Sequence, residues 1–166
     1  MNIFVSVLLT VSSLFGLVSI KTAKIKANDL QRLAGVQWTG TLTYLDYGKN
    51  KKVSIPSNLL ITRSADDKLL WIFEFQYPDE PQANSKRNVM IGEDGRSFGD
   101  EMVVERTKLA NKTLKIVTNK NGMDNDKPAL LRFTYLLGPT SFSIRKEVKY
   151  EGASEFFERN EYSWRR

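Results

Sequence analysis

The chain has 166 residues, with 25 Lys and Arg against 19 Asp and Glu, no His and no Cys, for a formal net charge of +6. That length suits one domain, and 41% hydrophobic with 11% aromatic residues supplies an ordinary core, which excludes a collagen-like or disordered chain. The missing His and Cys exclude a Ser-His-Asp triad, a cysteine nucleophile, His-ligated zinc, haem held by His, an iron-sulfur cluster and a disulfide scaffold.

Residues 1–20 carry no charged side chain, and Ile3 to Ile20 is almost unbroken apolar sequence. This stretch reads as an export signal, with Ser19 before the cleavage site, which sends the remainder to the periplasm or the medium. The alternative is a retained membrane anchor over residues 3–20. The first residues lack Lys and Arg, whereas Lys21, Lys24 and Lys26 follow the apolar run, an order that favours an anchor with a cytoplasmic C-terminal domain. Residues 21–166 form the single folded domain in both cases.

Lys24 to Gly35 reads as a short helix, with Asn28 or Asp29 as cap, Leu30 and Leu33 on one face and Gly35 at its end. From Val36 the hydrophobic period changes to two. The first strand, Val36 to Tyr44, sets Val36, Trp38, Leu42 and Tyr44 against Gln37, Thr39, Thr41 and Thr43. Val53 to Arg63 is the second, where Pro56 calls for an edge or a bulge. Leu69 to Tyr77 follows, with Leu69, Trp71, Phe73, Phe75 and Tyr77 on one face. Pro78 to Asn88 reads as a polar loop. Val89 to Ile91 and Arg96 to Phe98 then flank a Gly92-Glu93-Asp94-Gly95 turn. Further strands are expected at Met102 to Lys108, Thr113 to Thr118, Ala129 to Leu137, Ser141 to Tyr150 and Glu155 to Arg165. The fold class is therefore all-β, an antiparallel up-and-down barrel of about 8–10 strands with a short N-terminal helix, because an open sheet would leave edges and an uncovered apolar face.

A short helix, then Gly35-Val36-Gln37-Trp38 opening the first strand, an up-and-down set of strands and the basic end Arg165-Arg166 together resemble the calycin superfamily, in particular the lipocalin-like barrels of small bacterial envelope proteins. The resemblance implies that Trp38 closes one end of the barrel with a late arginine across it, Arg165 or Arg159, and that the lumen holds a small apolar molecule. Candidate ligand contacts are Leu42, Tyr44, Trp71, Phe73, Phe75, Phe133, Tyr135, Phe142 and Tyr162, with Arg132 either in the lumen facing a carboxylate or in solvent. The bland reading is that these aromatics are simply core, since small barrels fill themselves with side chains.

No catalytic arrangement, metal site or cofactor motif is legible. The acid pairs Asp66-Asp67 and Asp124-Asp126 fall in expected turns, where Asp serves the backbone. The sequence thus predicts no enzyme and no cofactor but non-catalytic binding of a small hydrophobic or lipid-like ligand in the cell envelope. The alternative is an envelope interaction or structural module with a filled barrel. The two differ in whether the lumen leaves room for roughly 300 Å³ of ligand. A monomer is expected, with anionic lipid surfaces as a further partner and no nucleic acid, because the aromatics alternate onto a buried face.

Overall fold

The computed structural model describes residues 23–166, so the export-signal and anchor readings of residues 1–20 lie outside the described residues. Ten antiparallel strands run in one sheet in sequence order: β1 (Gln37–Asp46), β2 (Lys51–Arg63), β3 (Leu70–Gln76), β4 (Ser85–Met90), β5 (Ser97–Phe98), β6 (Glu101–Lys108), β7 (Leu114–Asp124), β8 (Lys127–Leu137), β9 (Ser141–Tyr150) and β10 (Phe157–Arg165). The sheet order is β4-β3-β2-β1-β10-β9-β8-β7-β6-β5, so the first and last strands of the meander pair with each other and leave β4 and β5 as the two edges. These edges meet through the Ile91–Phe98 bridge and a hydrogen bond from Gly99 N to Met90 O, which makes the barrel nearly closed.

Turn chemistry fixes the register. The stretch from Asn119 to Pro128, between two expected strands, is instead a tight hairpin. Strand β7 continues to Asp124, and only Asn125 and Asp126 turn, both at positive φ (47° and 59°), as a right-twisted two-residue hairpin requires. Pro56 sits where β3 has already ended, because the β2–β3 pairing stops at Asn58–Gln76. β2 is an edge there, which suits a residue with no N–H. The expected polar loop after Pro78 is shorter than the sequence suggested, since β4 begins at Ser85.

The segment before β1 is not one helix. It forms two single 3-10 turns, Ala27–Asp29 and Gln31–Leu33. The Asp29 carboxylate accepts from Lys26 N and, through both oxygens, from the Arg106 guanidinium at 2.7 and 2.8 Å. Asp29 therefore ties this segment to β6 and does not cap an α-helix. The turns press Ile25, Leu30 and Leu33 onto the end of the barrel, where they are buried with Trp38, Leu137, Phe142 and Trp164.

Trp38 is fully buried, donates from Nε1 to Leu33 O at 2.9 Å and meets Phe142 edge-on. The arginine across it is Arg166, whose guanidinium lies 5.0 Å from the ring centroid and is held by donation to Pro139 O. Arg165, one of the two expected, is exposed and faces the other way, as alternation along β10 dictates. Arg159 lies at the opposite end. Gly40, between Trp38 and Leu42, pairs with Trp164 and Ser57, and a Cβ there would strike the Ser163 carbonyl. The sheet can curl around Trp164 only because Gly40 has no side chain.

Trp38→Ala should cost about 3–5 kcal/mol, as other large-to-small changes in packed cores do. Arg166→Ala should cost about 1 kcal/mol, the scale of a cation–π contact, and Arg165→Ala no more than about 0.5 kcal/mol. Urea midpoints of the three variants check this order.

Candidate functional site

The seam between β4 and β6 decides where the barrel is hollow. β5 has only two residues, and the Gly99-Asp100 turn sends the chain back into β6, so backbone pairing joins the two edges only near the Trp38 end. In the other half, β4 from Ser85 to Asn88 has no strand on its outer side, and β7 beyond Asn119 has lost β6. Side chains close that gap. Arg87 of β4 reaches Glu101 at 3.0 Å and Asp100 at 3.4 Å, and Lys120 of β7 reaches Asp100 from the far side at 2.8 Å.

Glu101 is 1% exposed and fully engaged. One carboxylate oxygen takes Arg87, and the other accepts from Thr118 Oγ1 at 2.6 Å and Tyr135 Oη at 2.7 Å. A buried carboxylate left without partners would be costly, and the three donors offset that cost. Burial, followed by the nearby Glu101 charge, pushes the Tyr135 phenol well above its ordinary pKa, so Tyr135 stays a donor.

Inside this side-chain seam lies a cavity of about 260 Å³. Its apolar wall is Phe73, Phe75, Val89, Phe98, Phe133 and Ile144, and its polar rim is Ser85, Arg87, Tyr135, Lys146, Asn160 and Tyr162. The rings form a continuous set: Phe98 lies edge-on to Phe73 and Tyr135, and Phe75 leans on Tyr162, which stacks on Trp164 at 4.9 Å. Tyr162 Oη meets Tyr77 Oη at 2.7 Å, and burial with that contact raises the Tyr162 pKa.

A second polar cluster covers the end of the barrel beyond the cavity. Asp124, at the close of β7, is 6% exposed and receives Tyr47 Oη at 2.5 Å, Tyr150 Oη at 3.0 Å and Lys146 Nζ at 3.1 Å, with Arg159 Nε at 3.5 Å. Arg159 is the extra residue of a bulge where β10 slips against β9 between Glu158 and Asn160. The bulge turns its guanidinium onto the Tyr47 ring, 4.3 Å from the centroid, and onto the Leu45 carbonyl.

Of the residues the sequence nominated, Phe73, Phe75, Phe133, Tyr135 and Tyr162 meet around the cavity. Trp71 and Phe142 are buried in the filled half and do not line it, and Leu42 and Tyr44 are half-buried along β1, away from it. Arg132 projects outside the barrel, its guanidinium 3.7 Å from the Phe156 ring centroid, so it faces no lumen ligand. Alternation decides this, since Leu131 and Phe133 take the inner face. Arg87, Ser85, Lys146 and Asn160 were not nominated. The inward alternation of Lys146 with Ile144 and Val148 was the available signal.

Burial by itself would raise the Asp124 pKa, but hydrogen bonds from Tyr47, Lys146 and Tyr150 outweigh it and hold the carboxyl below its ordinary value. A depressed carboxylate contributes stability above its unfolded pKa of about 3.9 and loses it as pH falls through the folded value. Asp124→Asn should therefore lower stability at neutral pH and flatten the fall in stability below about pH 4. Urea midpoints measured from pH 7 down to the acid limit check both parts.

No family model matches the chain, and a search of the curated proteins finds no match. Among solved structures, it is similar to one described as the crystal structure of Rv2717c from M. tuberculosis, with a TM-score of 0.56 and 10% identity over 87% of this chain and 99% of that one. At that identity the likeness is one of fold: a nearly closed antiparallel barrel.

Proposed function

We propose that the chain is a non-catalytic binding protein that holds a small, uncharged and largely apolar molecule in the hollow half of its barrel. The observation that carries this reading is the aromatic cavity of about 260 Å³ behind a seam closed only by side chains. A buried cavity of roughly 150 Å³ takes benzene, so this one suits one or two fused rings or a short alkyl chain. It falls just short of the roughly 300 Å³ that separates a ligand lumen from a filled barrel, so the binding reading extends only to small members of the lipid-like class.

Charge argues for a neutral ligand. Arg87 is matched by Glu101 and Asp100, Lys146 by Asp124 and Lys86 by Glu74. An anion entering the cavity would have to displace one of these carboxylates. Tyr162, Asn160 and Ser85 remain as hydrogen-bonding handles for one polar group. The uncharged run at residues 1–20 supports an envelope setting for such a carrier.

Naphthalene should bind saturably and quench the Trp and Tyr fluorescence, and naphthalene-1-sulfonate should bind more weakly. Ile144→Trp, which fills the cavity, should weaken naphthalene binding at least about tenfold while keeping a cooperative urea transition. Binding that is absent, or unchanged by Ile144→Trp, favours the filled-barrel interaction module instead.

A further inference from the structure

The cations around the cavity all have carboxylate partners; several at the Trp38 end do not. A groove of about 340 Å³ runs between the two 3-10 turns and the β6–β7 turn, lined by Asp29, Arg32, Arg106, Lys108, Leu109, Lys112, Thr113 and Leu114. Its one acid, Asp29, is taken by Arg106 through both oxygens. Arg32 is fixed in place by donating to the Lys112 and Leu137 carbonyls, yet neither it nor Lys108 nor Lys112 has an ion-pair partner among the described residues. Arg165 and Arg166 add two further cations at this end, beside a β8–β9 turn that holds no acid.

An exposed apolar side chain sits among these charges. Leu109, at the start of the β6–β7 turn, is 44% exposed. The turn projects because Asn111 and Lys112 both adopt positive φ (55° and 59°) and reverse the chain tightly. The described chain also begins at this end, with Ile25 N donating to Gly95 O in the β4–β5 turn, and the uncharged run 3–20 comes immediately before it.

We infer that the Trp38 end of the barrel docks on an anionic phospholipid surface, with Arg32, Lys108 and Lys112 meeting lipid phosphates and Leu109 entering the acyl boundary. Three lines of observation converge on this occupant. The unpaired cations match a negative leaflet, to which each basic residue contributes by its nearness. The exposed leucine beside them offers apolar surface that an acyl boundary would cover and a soluble phosphate ester would not. The described chain begins at this end, at the Ile25–Gly95 contact, so a membrane anchor over residues 3–20 would bring this same face to the bilayer. Docking here leaves the side-chain seam at Arg87 clear, and the inference stands independently of what the cavity holds.

The chain has no Cys, so a single introduced thiol labels one site. In the full chain, Ala110→Cys in the β6–β7 turn and Lys49→Cys in the β1–β2 turn at the opposite end each receive an environment-sensitive dye. With vesicles of phosphatidylcholine containing about one third phosphatidylglycerol, the dye at 110 should shift to an apolar environment and the dye at 49 should not. Adding Lys108→Glu and Lys112→Glu to the 110 variant should weaken that response about thirtyfold, and high salt should weaken it in the parent. A response at 49 in place of 110, or one at 110 unaffected by charge reversal and salt, overturns the inference. So does saturable binding of glycerol phosphate at the groove with no vesicle response at 110, which would make the site one for a soluble phosphate ester.

Discussion

Closure of the sheet is the constraint on which the rest of the molecule depends. A ten-stranded antiparallel sheet with one apolar face has to bring its edges together, because open edges and an exposed inner face are both costly. Here the closing strand β5 is two residues long, so the backbone ladder can be completed at only one end. That end is filled by Trp38, Phe142, Trp164 and the 3-10 turns above them. At the other end β4 and β7 stand apart, and Arg87, Asp100, Glu101 and Lys120 cross the gap. The cavity lies in the half that the backbone does not close.

The distribution of charge follows the same division. Charges turned inward are expensive unless paired and hydrogen-bonded, and the inner ones meet that condition: Glu101 with three donors, Asp124 with Tyr47, Tyr150 and Lys146. The pairing holds together strands that share no ladder and leaves the cavity without excess charge. The cations around the β6–β7 turn are in solvent, where an unpaired Lys costs little, so nothing in folding requires partners for them. Their clustering beside Leu109 is therefore informative about what the surface meets, whereas the inner pairs are informative about how the barrel closes.

Much of this fold was legible in the sequence because alternation is a strong signal. Trp71, Phe73 and Phe75 face inward as their spacing requires, as do Phe133 and Tyr135, and Trp38 lies buried at the filled end. The seam was not legible. Arg87 lies in a stretch rich in Pro, Asn, Ser and Lys that reads as loop, and it is in a strand only because β3 offers its edge from Phe75 to Leu70. Glu101 reads as one more acid near a turn, and its burial depends on Thr118 and Tyr135, which are distant in sequence. Arg159 was displaced by a bulge that no local pattern marks. The segment from Lys24 to Gly35 has a helical spacing of Leu30 and Leu33, yet it folds as two single 3-10 turns, which Arg106 and the barrel end hold in place. Arg165 and Arg166 differ by one position, and only the register of β10 decides which of them crosses Trp38.

The division into a filled half and a hollow half is tested most directly by diffraction from crystals of the protein pressurised with xenon, which enters apolar cavities and not packed cores. The account predicts xenon between Phe73, Phe133, Ile144 and Tyr162 and none beneath Trp38. Xenon absent from that position, or lodged beneath Trp38 and Phe142, would contradict it.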